Sequence, residues 1–235
     1  MKGITCNLAR VGGVLATALL VAALLIPTAA PVAAAEADEA QGIVDNSRVT
    51  LNTFMRDKNY SWLQRNLKKA KGVLIYPQVL KAGFILGGSG GTGILLVRDQ
   101  KTGNWSEPAF YTVGSVSFGL QIGGEAAEVM VLVTSQKAID SLFASSVKLG
   151  GDTSIAVGPY GAGAKGDITT DFVSFAKSKG IYAGINLEGS VVGVRDSLNK
   201  AYYGKDVRPV EIIVEKKASN KGSAALRAAL KSAAK

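Results

Sequence analysis

The sequence predicts a β-dominated α+β domain, a mostly antiparallel, glycine-rich sheet or partly closed barrel behind an N-terminal helical segment, with a few short helices. Three observations predict it. Helical periodicity is concentrated before residue 72. From Gly72 onward, short apolar runs follow one another closely with glycine between them. Their connections are short, which favours antiparallel pairing over the long crossovers that parallel strands need.

Residues 1–35 read as a secretory signal. Lys2 and Arg10 precede an uncharged apolar run from Val11 to Ile26, Pro27 and Pro31 break it, and Ala33-Ala34-Ala35 offers a cleavage site before Glu36. A spanning helix needs about 20 apolar residues, so the run fits a cleaved signal better than the alternative, an uncleaved anchor. The expected product is exported, periplasmic or extracellular, and peripheral to the membrane. Removing the signal takes the formal net charge from +9 to +7. A basic chain points to phosphate-bearing partners, and export argues against nucleic acid.

Cys6 is the only cysteine, it lies ahead of the apolar run, and the chain has no histidine. After cleavage these absences exclude a disulfide framework, thiol-ligated zinc and every imidazole mechanism. The expectation is a protein that is not an enzyme and uses no metal or cofactor.

The expected elements follow in order, within segments 36–71 (helical), 72–215 (β-rich) and 216–235 (basic tail). Ala40, Ile43, Val44, Ser47, Leu51, Phe54 and Met55 lie close to a 3.6-residue period. Ser61 with Gln64 forms a capping-box pattern opening a short helix with Leu63, Leu67 and Ala70 on its apolar stripe. Strands are expected over 72–76, 82–86, 93–97, 109–113, 116–122, 128–134, 154–158, 172–176, 180–187, 190–194 and 210–214. Ser135 caps a helix from Gln136, and residues 196–203 form another that stops at Gly204. The tail holds six Lys or Arg and no acid, and reads as a disordered or weakly helical arm.

Gly88-Ser89-Gly90-Gly91-Thr92-Gly93 matches G-x-G-x-x-G, yet no helix follows and no acid lies about 20 residues on, as a dinucleotide site requires. A tight turn or close backbone packing is the expected role. Glu125 and Glu128 are near each other in sequence, as are Asp167 and Asp171; solvated surface acids are the expectation for them.

The most informative feature is a charge run. Residues 58–98 contain Lys58, Arg65, Lys68, Lys69, Lys71, Lys81 and Arg98 and no acid, with Tyr60 and Trp62 among them. A basic amphipathic helix beside amphipathic aromatics reads as a membrane-surface element. The other reading is a solvated helix face with Trp62 and Leu63 in the core. The lipid-binding candidates are Trp62, Arg65, Lys68, Lys69, Lys71 and Lys81. At about 1 kcal/mol per basic residue, three to five such contacts give roughly millimolar affinity.

Several segments in order resemble one family: Lys71-Gly72-Val73 with Tyr76-Pro77, Lys81-Ala82-Gly83-Phe84, Gly87 to Gly93, and Gly103-Asn104-Trp105-Ser106-Glu107-Pro108-Ala109-Phe110. Ser117 to Gly124, Gly158-Pro159-Tyr160-Gly161, Ser178 to Ile185, Leu187-Glu188-Gly189 and Tyr202-Tyr203-Gly204 continue the series. From about Ala40 to Val214 the chain resembles the SYLF-domain family. The resemblance implies lipid binding, phosphoinositide recognition in eukaryotic members with an N-terminal amphipathic helix assisting, and actin binding in yeast members. By position that helix falls on residues 43–71. For an exported chain the expected partner is an anionic phospholipid membrane surface, with protein partners unknown. The alternative is an envelope structural or assembly protein that binds other proteins or polyanions.

Overall fold

The computed structural model describes residues 30–83, 86–118, 123–163, 165–166, 169–178 and 187–235. The expected signal up to residue 29, Asp167 and the expected strand over 180–186 lie outside these residues.

The chain begins with α1 (Ala30–Arg56), a single 3-10 turn at Lys58–Tyr60, α2 (Ser61–Asn66) and a second 3-10 turn at Leu67–Lys69. Four long strands follow, β1 (Gly72–Gly83), β2 (Leu86–Val97), β3 (Ala109–Phe118) and β4 (Gly123–Val133). Then come α3 (Gln136–Ser141), β5 (Ser146–Lys148), β6 (Ile155–Val157), β7 (Phe172–Ser178), β8 (Val191–Val194), α4 (Asp196–Tyr203), α5 (Pro209–Ile213) and α6 (Ala224–Ala233). The strands make one sheet in the order β5-β8-β3-β2-β1-β4-β7-β6. Every pairing is antiparallel except β6 with β7. The architecture is the strand-rich α+β fold that the sequence predicts.

β1 lies at the centre, and Val73-Leu74-Ile75-Tyr76 is fully buried on both faces. Val73 and Ile75 join one core with Ile94, Leu96, Phe110, Leu132 and Phe175, covered by α1, α2, α4 and α6. Leu74 and Tyr76 join the other with Leu95, Tyr111, Val129 and Val131, covered by α3 and α5. Such a two-sided layer explains why these strands read as continuous apolar runs rather than alternating ones.

Pro77 sits inside this central strand. It has no N–H to give the ladder, and the register of β1 shifts between Ile75 and Gln78 against β2 and between Tyr76 and Val79 against β4. The bulge pushes backbone toward β2. A Cβ on Gly91 would stand 2.4 Å from the Gln78 carbonyl oxygen, and one on Gly93 would stand 2.3 Å from that of Ile75. The glycine-rich segment is therefore strand, not turn, and the close-packing reading holds at these two positions.

α1 buries Ala40, Val44, Ser47, Leu51 and Phe54, the expected stripe, with Ile43 and Met55 at its margin. α3 is capped by Ser135, whose Oγ accepts the Ala138 N–H at 3.0 Å, and α4 ends on Gly204 at φ 68°. Three expectations are corrected. Ser61 and Gln64 form no capping box: the Gln64 amide donates to the Phe54 and Asp57 carbonyls, and the Ser61 hydroxyl bridges Gly161 and Gly163. Residues 210–214 are not a strand; Pro209 starts α5 and Glu211 accepts the Arg208 N–H at 2.9 Å.

The third correction concerns the tail. Segment 216–235 is no loose arm: α6 inserts Leu226 and Leu230 into the first core, and Ser223 is buried with its hydroxyl donating to Glu107 at 2.6 Å. Ala229 and Ala233 pack against the same core, and the helix lies against α1. Leu230→Ala is therefore expected to cost about 2–5 kcal/mol in urea unfolding. The exposed Ser232→Ala, by contrast, should change stability by less than about 0.5 kcal/mol.

Candidate functional site

Of the six residues singled out for lipid, Lys68, Lys69 and Lys71 come together where the second 3-10 turn enters β1, and Arg65 is exposed on α2 just before them. Lys81 does not join them. It lies ten residues along β1, roughly 33 Å away at 3.3 Å per residue, opposite Glu125 and Ser89. Trp62 is also placed elsewhere. It is 6 % exposed, packs on Phe175 and donates its indole N–H to the Gly166 carbonyl at 2.8 Å. The interfacial role expected for Trp62 does not fit this placement; its ring serves the core. The apolar face of α1 is likewise consumed by the sheet. Among the described residues no helix is long and apolar enough to cross a membrane.

The sheet end that holds Lys68, Lys69 and Lys71 gathers further cations that sequence proximity hides. Arg98 donates its N–H to the Lys71 carbonyl at 2.8 Å, and the Gln100 amide donates to the Ala70 carbonyl at 3.2 Å. These bonds fix the β2–β3 turn, with exposed Lys101, beside the 3-10 turn. Asp99 organises the turn by accepting the N–H groups of Lys101 and Thr102, at 2.9 and 3.0 Å. Those bonds, with Lys216 nearby, hold its carboxyl below the ordinary value. Lys231 of α6 donates to the Asn104 side chain at 2.8 Å across the same turn. The end of the sheet thus collects Lys68, Lys69, Lys71, Arg98, Lys101, Lys216 and Lys231 from three distant stretches of chain. Of the acids interspersed here, Glu107 is matched by Arg227 at 3.0 Å and Glu215 by Lys217 at 2.5 Å.

Along the chain Arg98 belongs to the charge run and Lys216 and Lys231 to the tail; only the fold brings them to one end. The signal was present: Leu226 and Leu230 stand one helical turn apart, which marks a docked face.

Of the two acid pairs, the structure describes both members only of Glu125 and Glu128. Glu125 and Glu128 are three apart in β4 and so point to opposite faces, and Glu128 accepts the Thr50 hydroxyl at 3.0 Å. Asp171 is a clasp. It accepts the Ser135 hydroxyl at 2.5 Å and both the N–H and hydroxyl of Ser154, at 3.0 and 2.9 Å. The Ser135 bond first, then those from Ser154, hold its carboxyl below 3.8.

With this geometry in place, comparison with known proteins decides the family. Residues 114–233, just over half of the chain, match the family described as Ysc84, Las17-binding protein actin regulator. The chain belongs to the Ysc84 (SYLF) family. It is 32 % identical over 152 residues to SH3 domain-containing YSC84-like protein 1 of Homo sapiens, covering 63 % of this chain and 44 % of that one. It is 37 % identical over 149 residues to SH3 domain-containing protein PJ696.02 of Schizosaccharomyces pombe, covering 60 % and 34 %. With Protein YSC84 of Saccharomyces cerevisiae it shares 34 % identity over 146 residues, 59 % of this chain and 31 % of that protein. The aligned part spans less than half the length of these relatives. No solved structure matches significantly. The family description names a binding and regulatory role.

Asp171 yields a pH signature. Its folded-state carboxyl titrates below 3.8, so its contribution is complete above that value and is lost as pH falls through the lower folded value. Asp171→Asn is expected to lower stability by about 1–3 kcal/mol at pH 7. The wild-type advantage should shrink toward pH 2 in paired urea titrations.

Proposed function

We propose that this SYLF-family chain is a non-enzymatic, peripheral binder of anionic phospholipid surfaces, and that the basic end of the sheet is its lipid-facing side. One observation carries the reading: seven cations from the 3-10 turn, the β2–β3 turn and the C-terminal segment converge on that end. At about 1 kcal/mol each near an anionic surface, seven give roughly ten-micromolar affinity before ordering costs. The three of the local helical stretch give only millimolar. Because Trp62 and the apolar face of α1 are occupied in the core, the attraction is chiefly electrostatic. With residues 1–35 taken as an export signal, the proposed partner is a general anionic lipid rather than a phosphoinositide.

A protein partner is the second reading. It draws on the family's description as Las17-binding and actin-regulating, and on Leu80 and Val116, 55 % and 78 % exposed on the distal sheet.

A chain beginning at Glu36 is expected to co-sediment with phosphatidylglycerol vesicles at low salt and not with phosphatidylcholine. Binding should vanish near 1 M salt, where the screening length is about 3 Å. Lys68→Glu, Lys69→Glu and Lys71→Glu together should weaken it at least tenfold. Undiminished binding by that variant sinks the site, and binding to no vesicle moves the protein partner to first place. Mass measurement of the secreted protein should give Glu36 as its first residue.

A further inference from the structure

A cleft of about 470 Å³ opens at the basic end, between the β2–β3 connection and the α5–α6 region. That volume suits a small molecule. Trp105, Ile213 and Ala218 give it an apolar wall, and Lys216, Arg227 and Lys231 give it a cationic side. Its one acid is already committed: Glu107 accepts from Arg227 at 3.0 Å and from the Ser223 hydroxyl at 2.6 Å.

Two features of the lining point to a missing acceptor, and a third marks the site. Trp105 is 4 % exposed and its indole N–H meets no acceptor. The Nε–H of Arg227 is buried and equally unmatched, although one terminal nitrogen of its guanidinium is ion-paired with Glu107. Buried donors in folded proteins are nearly always bonded, and both of these belong to residues that line the same cleft. Lys216 is also the one non-glycine residue at positive φ, 54°, among the described residues. A side-chain-bearing residue in that conformation is a strained choice, of the kind held at binding sites. Every unmet group is a donor or a cation.

We propose that this cleft binds an anionic oxygen group, phosphate or carboxylate, carried on an apolar body. The anion is met by Lys216, Lys231 and the free donors of Arg227 and Trp105, and the apolar part lies on the wall. The proposal deepens the lipid reading, since the cleft sits within the lipid-facing end. The chemistry is shared by a lipid head group in a bilayer and by a dissolved amphiphile.

The indole resonances of the protein, purified as the cell matures it, read the site directly. Trp105→Phe assigns the peak. Dihexanoyl phosphatidic acid below its micelle concentration is expected to shift the Trp105 N–H saturably. Lys216→Gln with Lys231→Gln should weaken that titration at least tenfold while leaving the rest of the spectrum dispersed. Inorganic phosphate should bind more weakly; equal binding assigns the same anion chemistry to a soluble phosphate. No saturable shift with either probe, or an undiminished one in the double variant, overturns the cleft. A saturable shift without any vesicle co-sedimentation keeps the cleft and removes the membrane. Vesicle binding without a shift does the reverse.

Discussion

The break in β1 at Tyr76–Pro77 is the constraint on which the remaining architecture depends. A proline in a central strand forfeits a ladder bond, and here both neighbouring strands shift register at that point. The accommodation works only because β2 is bare opposite the bulge, where Gly91 and Gly93 let the two backbones close. On one side of the break, four consecutive residues of β1 are buried on both faces. On the other, Gln78 and Leu80 are exposed. The sheet is thereby divided into a packed half, which fixes the turns at its end, and a sparsely covered half that extends away from them.

The packed half makes the basic end possible. Cations within a Debye length repel one another, so seven of them on flexible segments would drift apart. Here backbone bonds hold the segments together: Lys71 to Val133, Arg98 to Lys71, and the Asp99 turn closed on itself. The packing of the core offsets that repulsion, and the same core takes up Trp62 and the apolar face of α1. With the apolar face of α1 taken up by its own sheet, what this end leaves exposed is charge.

How much of this was legible follows from what each residue needs. The α1 stripe, the Ser135 cap and the stop at Gly204 depend on neighbours within a few residues, and the sequence shows them. The glycine-rich segment misleads because the reason for its glycines sits across the sheet, at Pro77. Residues 210–214 are five apolar or acidic residues with no period of their own, and a short run of that kind fits strand and helix alike. Pro209 ahead of it and Glu211 within it were the deciding marks. Trp62 was equally at home at an interface and in a core until the loop at Gly166 supplied a carbonyl for its N–H. The charge run showed that cations matter. It did not show that Lys81 leaves them by the length of a strand, or that Lys216 and Lys231 arrive.

The C-terminal helix makes the last of these points physically. Leu226 and Leu230 are one turn apart and fill the core; Arg227 and Lys231 follow each by one residue, about 100° further round the axis. Docking the leucines therefore leaves the two cations no choice of direction: they are carried to the flank of the helix beside the β2–β3 connection, where Glu107 and Asn104 receive them. A tail rich in lysine and alanine looks like a tether when its charges are counted. When its leucines are counted instead, it is a packing element whose adjacent face is basic. The same burial that stabilises the fold sets the position of Arg227 and Lys231.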